Sequence, residues 1–223
     1  MTALVKDQAA LGVLVSGGVE SAAMLAEALQ KCERVYPIYV RKGFIWERIE
    51  LVHLRRLVRS FKEDGLAQPA VLQVPAGPIY NPHWSLGRKG VPGSNAPDSA
   101  VYLPGRNLLL LSLGGLFCVT RKIPALWIGI LKGNPFQDAK PGFLRQMESM
   151  LEGTLPVPVR ITAPFRELTK GQVIRRRPEL AWQHTFSCLS PVSHKHCGRC
   201  QKCAERKKGF KSAGVEDPTE YAR

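Results

Sequence analysis

Four cysteines near the C-terminus carry the sharpest chemical signal in this 223-residue chain. Cys188, Cys197, Cys200 and Cys203 follow the spacing Cys-x8-Cys-x2-Cys-x2-Cys. Thiolates two residues apart turn onto one ion, and four of them close a tetrahedral shell around Zn²⁺ with no open position. One structural zinc per chain is therefore expected. Reduced structural thiols and an iron–sulfur cluster are the alternatives. His184, His194 and His196 lie close by and are expected at the surface or behind the ligands, although one of them replacing Cys188 stays open. Cys32 and Cys118 stand in apolar surroundings and read as core.

The second constellation is Ser16-Gly17-Gly18-Val19-Glu20-Ser21, which ends the apolar run at 11–15. Glycines let a backbone approach an anion without Cβ obstruction. The helix N-terminus that should follow offers free N–H groups and the positive end of its dipole. Ser16 and Ser21 add hydroxyl donors. A tight strand-to-helix turn would use the same residues, but the place after a buried strand favours phosphate. Further along, Leu103-Pro104-Gly105-Arg106-Asn107 precedes a Leu-rich stretch. Arg106 offers phosphate a bidentate fork, and Asn107 either caps a helix or meets a ligand. Taken locally, a plain turn and helix start explains this segment as well.

These residues need elements to hold them. Strands are expected at 11–15, 35–40, 70–74, 125–130 and 159–162, and helices at 21–31, 45–62, 107–121 and 142–152. Thr169-Lys170-Gly171-Gln172 has capping-box spacing and should start a helix that ends before Pro178. The stretch 75–104 is rich in Gly, Pro, Asn and Ser without a period, as a functional or mobile loop would be. The polar tail after Phe210 is expected to fray. Strands alternating with helices predict an α/β fold, a parallel sheet with helices on both faces and right-handed crossovers. Ligands of such sheets sit at the carboxyl ends of the strands, where the Ser16 loop lies. The expected division is an α/β nucleotide domain at 1–180 and a small helical zinc-knuckle segment at 181–223.

Composition bounds the rest. An apolar fraction of 44% can fill a core, and no apolar run approaches membrane-spanning length. Residues 1–10 show no apolar signal core, so a cytoplasmic protein is expected. The net charge of +14 points to an anionic partner, whether nucleotide, nucleic acid or another polyanion. Arg48, Arg55, Arg59 and Lys62 recur at helical spacing and are expected to form a solvated face.

The loop resembles the SGG-x-D-S signature of the pyrophosphatase-loop ATP enzymes, with Glu20 where those carry Asp. Leu103-Pro104-Gly105-Arg106-Asn107 is similar to the (V/L)-P-G-R-N of one branch, the 7-cyano-7-deazaguanine synthases. Pro164 with Leu168-Thr169-Lys170-Gly171-Gln172-Val173-Ile174 resembles their P…LSKAEV stretch, and the cysteines with Glu205-Arg206-Lys207-Lys208-Gly209-Phe210 resemble their C-terminal end. The match covers nearly the whole chain in the right order. Two segments depart from it. The family's Gln-Arg-His element is replaced by Val40-Arg41-Lys42-Gly43-Phe44-Ile45-Trp46-Glu47, which lacks histidine. Its Tyr-Pro-Asp-Cys-Arg element is replaced by residues 133–143, in which Asp138 stands for the Asp.

The resemblance implies an adenine-nucleotide α-hydrolase-like, Rossmann-like fold, a homodimer, and use of ATP, Mg²⁺ and zinc. The implied reaction joins ammonia to 7-carboxy-7-deazaguanine through an adenylated carboxylate, giving the nitrile of queuosine and 7-deazapurine biosynthesis. Ser16, Gly17, Gly18 and Ser21 would hold pyrophosphate and Glu20 the Mg²⁺. Arg106 and Asn107 would serve phosphate or activated substrate, Lys132 and Asp138 the substrate site, and Lys170 phosphate. The departures keep open a divergent member that adenylates another carboxylate. The charge keeps open an ATP-dependent RNA-modifying enzyme, and Glu20 a nucleotide sensor without turnover.

Overall fold

The computed structural model describes residues 8–154 and 156–222. Its centre is β1 (Gln8–Leu14), flanked on one side by β2 (Cys32–Arg41) and β3 (Ala70–Gln73), and on the other by β4 (Ala125–Trp127) and β5 (Arg160–Thr162). The strand order is β3-β2-β1-β4-β5 and every pairing is parallel. A central parallel strand is covered on both faces, which is why the 11–15 run is continuously apolar.

Alternation along β1 divides the core. Leu11, Val13 and Val15 pack under α1 (Val19–Lys31) and α2 (Glu47–Ser60), together with Val173 and Ile174 of α6 (Lys170–Arg175) and Phe210 of α7 (Gln201–Ala213). Leu14 of β1, with Ile38 and Val40 of β2, faces α4 (Arg106–Thr120) and α5 (Pro141–Thr154) through Leu111, Cys118, Met147 and Leu151. Helices thus cover both faces, as the sequence predicts. Cys32 and Cys118 are fully buried, one in each layer. The chain runs outward from β1 to β3 and then returns to the far side at β4, so the direction of winding reverses at β1. That reversal leaves a crevice at the carboxyl end of β1.

Two expectations are corrected. Residues 75–104 are not a free loop. They contain a helical turn, α3 (Gly77–Tyr80), and a 3₁₀ turn at Asp98–Val101. Tyr80, Val101 and Leu103 join Phe44, Trp46, Phe186 and the four cysteines in a third apolar cluster. The Gln201 amide donates to the Pro92 carbonyl at 3.0 Å, and the Gln201 side chain donates to Asp98 Oδ1 at 2.7 Å. The segment shows no period because its partners lie in distant parts of the chain. Nor does the tail fray. Arg206 is 0% exposed, and a buried guanidinium needs partners. It donates to Thr219 Oγ1 at 2.6 Å and sits 3.6 Å from Asp217, while the Ala222 amide donates to the His196 carbonyl at 2.8 Å.

Among the described residues no helix is long and apolar enough to cross a membrane.

Close packing at β1 is testable. A Cβ on Gly12 would stand 2.6 Å from Cys118 Sγ and 3.2 Å from Ile38 Cδ1. Overpacking of this kind costs about 1–3 kcal/mol. Gly12→Ala should lower urea-unfolding stability by that amount, and Cys118→Ala in the same chain should recover much of it. A Gly12→Ala protein as stable as the parent would show that the layer yields.

Candidate functional site

The crevice at the carboxyl ends of β1, β2 and β4 opens into a cavity of about 450 Å³. Its floor is the Ser16 loop. Gly17 adopts φ +80°, a left-handed conformation open to glycine, and a Cβ there would press on Leu54 at 3.3 Å. Gly18 is the N-cap of α1 and has no side chain to cap it, so the first amides of the helix remain available to an anion. Within the loop, Ser21 Oγ accepts from the Ser16 amide at 2.9 Å and lies 3.3 Å from Ser16 Oγ. The loop is thus shaped before any ligand arrives. Ser16, Gly18, Glu20 and Ser21 line the cavity; Gly17 sets the turn beneath it.

Lys170 enters from the capping-box helix. Thr169 accepts from the Gln172 amide and Gln172 answers to the Thr169 amide, so α6 starts where the sequence places it. The Lys170 side chain is 10% exposed, and its ammonium lies 2.9 Å from Glu20 of α1 and 2.7 Å from Glu205 of α7. Its stem passes beside Gly209, where a Cβ would come within 2.8 Å of Lys170 Cγ. Burial opposes the charge on Lys170, but Glu20 and Glu205 outweigh it and hold the pKa above the ordinary lysine value. Burial likewise opposes the Glu205 charge, yet Lys170 and Lys202 bring its pKa down to about 2.

Arg106 and Asn107 open α4 after Gly105, which has φ +69°. Both line the cavity, as does Lys132 after β4. Asp138 does not. It accepts from the Asn107 amide at 3.1 Å, and its carbonyl accepts from Asn107 Nδ2 at 3.0 Å. Asp138 therefore reaches the site through Asn107, satisfying an otherwise free first-turn amide of α4.

Sequence reasoning missed an acidic group at the end of β2. Glu47 accepts from the amides of Lys42 at 2.7 Å and Gly43 at 2.9 Å, which fixes the turn into α2. Glu50, one helical turn on, accepts from Tyr39 Oη at 2.7 Å and lines the cavity beside Lys42 and Arg106. Burial pushes the Glu50 pKa up to about 7, with the Tyr39 hydrogen bond and Lys42 opposing it. Burial also lowers the Lys42 pKa against the pull of Glu47. Both glutamates stand on the inner side of a helix whose basic stripe, Arg48, Arg55 and Arg59, is exposed on the outer side.

The four cysteines converge. Their sulfurs all lie within 4.8 Å of one another, and Cys197 Sγ is 3.9 Å from Cys203 Sγ. Tetrahedral zinc with Zn–S of about 2.3 Å needs sulfurs about 3.8 Å apart, so the donor set fits. The Cys197 amide donates to Cys188 Sγ at 3.2 Å and the Leu189 amide to Cys200 Sγ at 3.4 Å, the kind of support that orients metal-bound thiolates. His196 is not part of the group: its Nε2 accepts from the Ser187 amide at 3.0 Å, and His184 and His194 are outside it as well. The segment also forms a wall of the cavity. Phe186 donates its amide to the Gly17 carbonyl at 2.8 Å, and Ser187 and Cys188 face the space above the loop.

Removing one partner of a buried ion pair costs about 3–5 kcal/mol. Lys170→Met should therefore lose about 3 kcal/mol at pH 7. Glu205, depressed from 4.5 to about 2, contributes stability that is present above pH 4.5 and lost as pH falls through about 2. Stability curves between pH 6 and pH 2 should show that loss in the parent and a smaller one in Lys170→Met.

Comparison with known proteins agrees with this architecture. The sequence model of a family described as "Queuosine biosynthesis protein QueC" matches residues 10–214. A 7-cyano-7-deazaguanine synthase of Anaeromyxobacter dehalogenans is 30% identical, with 95% of each chain covered. Another from Methanothermobacter thermautotrophicus is 30% identical over 93% of this chain and 97% of its own. A crystal structure from Methanocaldococcus jannaschii, described as a predicted subunit of tRNA methyltransferase, shares the fold at 12% identity, with a TM-score of 0.51 over 96% of this chain and 92% of its own. The relatives are named as synthases, and on the extent of the match this chain belongs to the QueC family of queuosine biosynthesis.

Proposed function

We propose that this protein is an ATP-dependent carbon–nitrogen ligase that converts 7-carboxy-7-deazaguanine and ammonia to 7-cyano-7-deazaguanine. The observation that carries the proposal is one cavity uniting a preformed phosphate loop with Arg106, Asn107 and Lys132, next to a half-buried acidic group. A carboxylate is a poor acyl donor because it is anionic. Joining it to AMP removes that charge and supplies a leaving group, after which ammonia displaces AMP to give an amide. A second activation turns the amide into the nitrile.

The loop amides, Ser16 and Ser21 bind the departing pyrophosphate. Arg106 and Lys132 balance the charge that gathers between phosphate and carboxylate, and Asn107 is held in place for this by Asp138. Glu20 would hold Mg²⁺. A single carboxylate beside phosphate oxygens suits that ion, which keeps much of its water. Lys170 then shifts part of its pairing from Glu20 to phosphate. The cysteines would hold one zinc as a closed structural centre, which supplies no chemistry and fixes the Phe186–Leu189 wall. The division into a nucleotide domain at 1–180 and a knuckle segment at 181–223, a homodimer and a cytoplasmic location belong to the same proposal.

A divergent member acting on another carboxylate is the second reading. The altered segments favour it, since Lys42, Phe44 and Phe136 line the cavity in stretches that depart from the family pattern. Sulfur transfer to RNA gains less support: Cys32 and Cys118 are sealed in the core, and burial pushes the Cys118 thiol up to about 12.

Incubation with ATP, ammonia and 7-carboxy-7-deazaguanine should release AMP and nitrile. ATP consumption only with a different carboxylate would replace this reading by the second. Zinc analysis should find one ion per chain. Its removal by a strong chelator should lower the melting temperature and weaken nucleotide binding together; metal-free protein with unchanged melting would refute the structural role.

A further inference from the structure

The acidic group at the end of β2 has a use that the phosphate chemistry leaves unexplained. Glu20 and Glu205 beside the loop are each met by the Lys170 ammonium, whereas Glu50 is met by the neutral Tyr39 hydroxyl; a carboxylate without such a counter-ion repels phosphate, so Glu50 does not belong to the triphosphate path. It belongs to the part of the cavity bounded by β2 and α2, where Phe44 and Trp46 supply aromatic surface, their rings 5.0 Å apart. Glu50 Oε2 takes the Tyr39 hydroxyl at 2.7 Å. Lys42, the nearest ammonium in this corner, is turned elsewhere: it donates to the Val40 carbonyl at 2.7 Å and stands 3.7 Å from Glu47. The carboxylate therefore faces the cavity with acceptor capacity that its neighbours do not use.

We propose that Glu50 is the specificity-determining contact for the heterocycle, accepting hydrogen bonds from the adjacent ring N–H and exocyclic amino group of a guanine-type edge. This rests on the ligase reading and names the residue that selects its substrate. A carboxylate and two neighbouring N–H donors match in spacing and direction, as they do when carboxylates meet guanidinium groups. Adenine offers a single amino donor beside a ring nitrogen that itself accepts, and so fits an ionised carboxylate less well. The titratable groups that face Glu50 are the neutral Tyr39 hydroxyl of β2, Lys42 just after β2, Glu47 of α2 and Arg106 of α4. In the empty cavity burial outweighs them and favours the protonated form. Two N–H donors from a ligand restore the ionised form, so recognition of the edge and ionisation of Glu50 support each other. The aromatic surface beside it receives the flat face of the ring.

The test compares wild type with Glu50→Gln on 7-carboxy-7-deazaguanine and on the matching hypoxanthine-type analogue, which lacks the exocyclic amino group. Melting curves and KM for ATP are measured alongside. Loss of charged hydrogen bonds of this kind is worth roughly 10- to 100-fold. Wild type should favour the guanine-type substrate by at least that factor. Glu50→Gln should raise KM for it by a similar factor, lose most of the preference, and keep KM for ATP. In wild type this KM should rise as pH falls below about 7, where Glu50 takes up its proton, and the dependence should vanish in Glu50→Gln. If Glu50→Gln melts too early to assay, wild type decides: equal kcat/KM on the two heterocycles overturns the inference. An unchanged preference in Glu50→Gln overturns it as well, and a change confined to KM for ATP assigns the residue to adenine instead. Both of those results leave the ligase reading standing. Wild type that neither binds nor converts 7-carboxy-7-deazaguanine overturns the ligase reading and this inference with it.

Discussion

The ammonium of Lys170 is the contact on which the site depends. One charge joins three helices that are far apart in the chain: α1, which carries the phosphate loop, α6, which the capping box starts, and α7, which follows the cysteines. A charge this deeply placed is tolerated because two carboxylates meet it. Several local features serve the arrangement. Gly209 lets the lysine stem through, and Gly171 lets α7 lie close against α6 at Ser212. Thr169 and Gln172 fix the angle at which α6 presents the side chain.

Around that contact the sheet does what parallel sheets do. The winding reverses at β1, and the crevice so created collects residues from the ends of three strands and the starts of α1, α2, α4, α6 and α7. Cations come from α4 and the segment after β4, acceptors from α2, and free amides from α1. Loop amides and hydroxyls gather at β1 with the Glu20–Lys170–Glu205 pairing, and the Glu50 carboxylate stands toward β2 beside Lys42 and Arg106.

Much of this was legible in the sequence, and the exceptions have physical causes. The parallel strands showed as short apolar runs because both faces of the sheet are covered. The Ser16 turn, the Arg106-Asn107 turn, the capping box and the cysteine spacing are each encoded within a few residues, so short windows carry them. The Tyr39–Glu50 pair was invisible because its meaning arises only when β2 and α2 are laid side by side. Asp138 lies one step behind the cavity, and a sequence does not say whether a carboxylate faces a cavity or holds the residue that does. Residues 75–104 and the tail looked unstructured because their partners, Gln201, Arg206 and His196, sit elsewhere in the chain.

The hydrogen bond from Phe186 to the Gly17 carbonyl makes the Ser16 loop and the cysteine segment a single mechanical unit. The backbone of the loop is set partly from behind, by a residue two positions before Cys188. A loop transplanted into another α/β scaffold would arrive without that support and relax. A chain without the cysteine segment would have to hold the turn at Gly17 by other means.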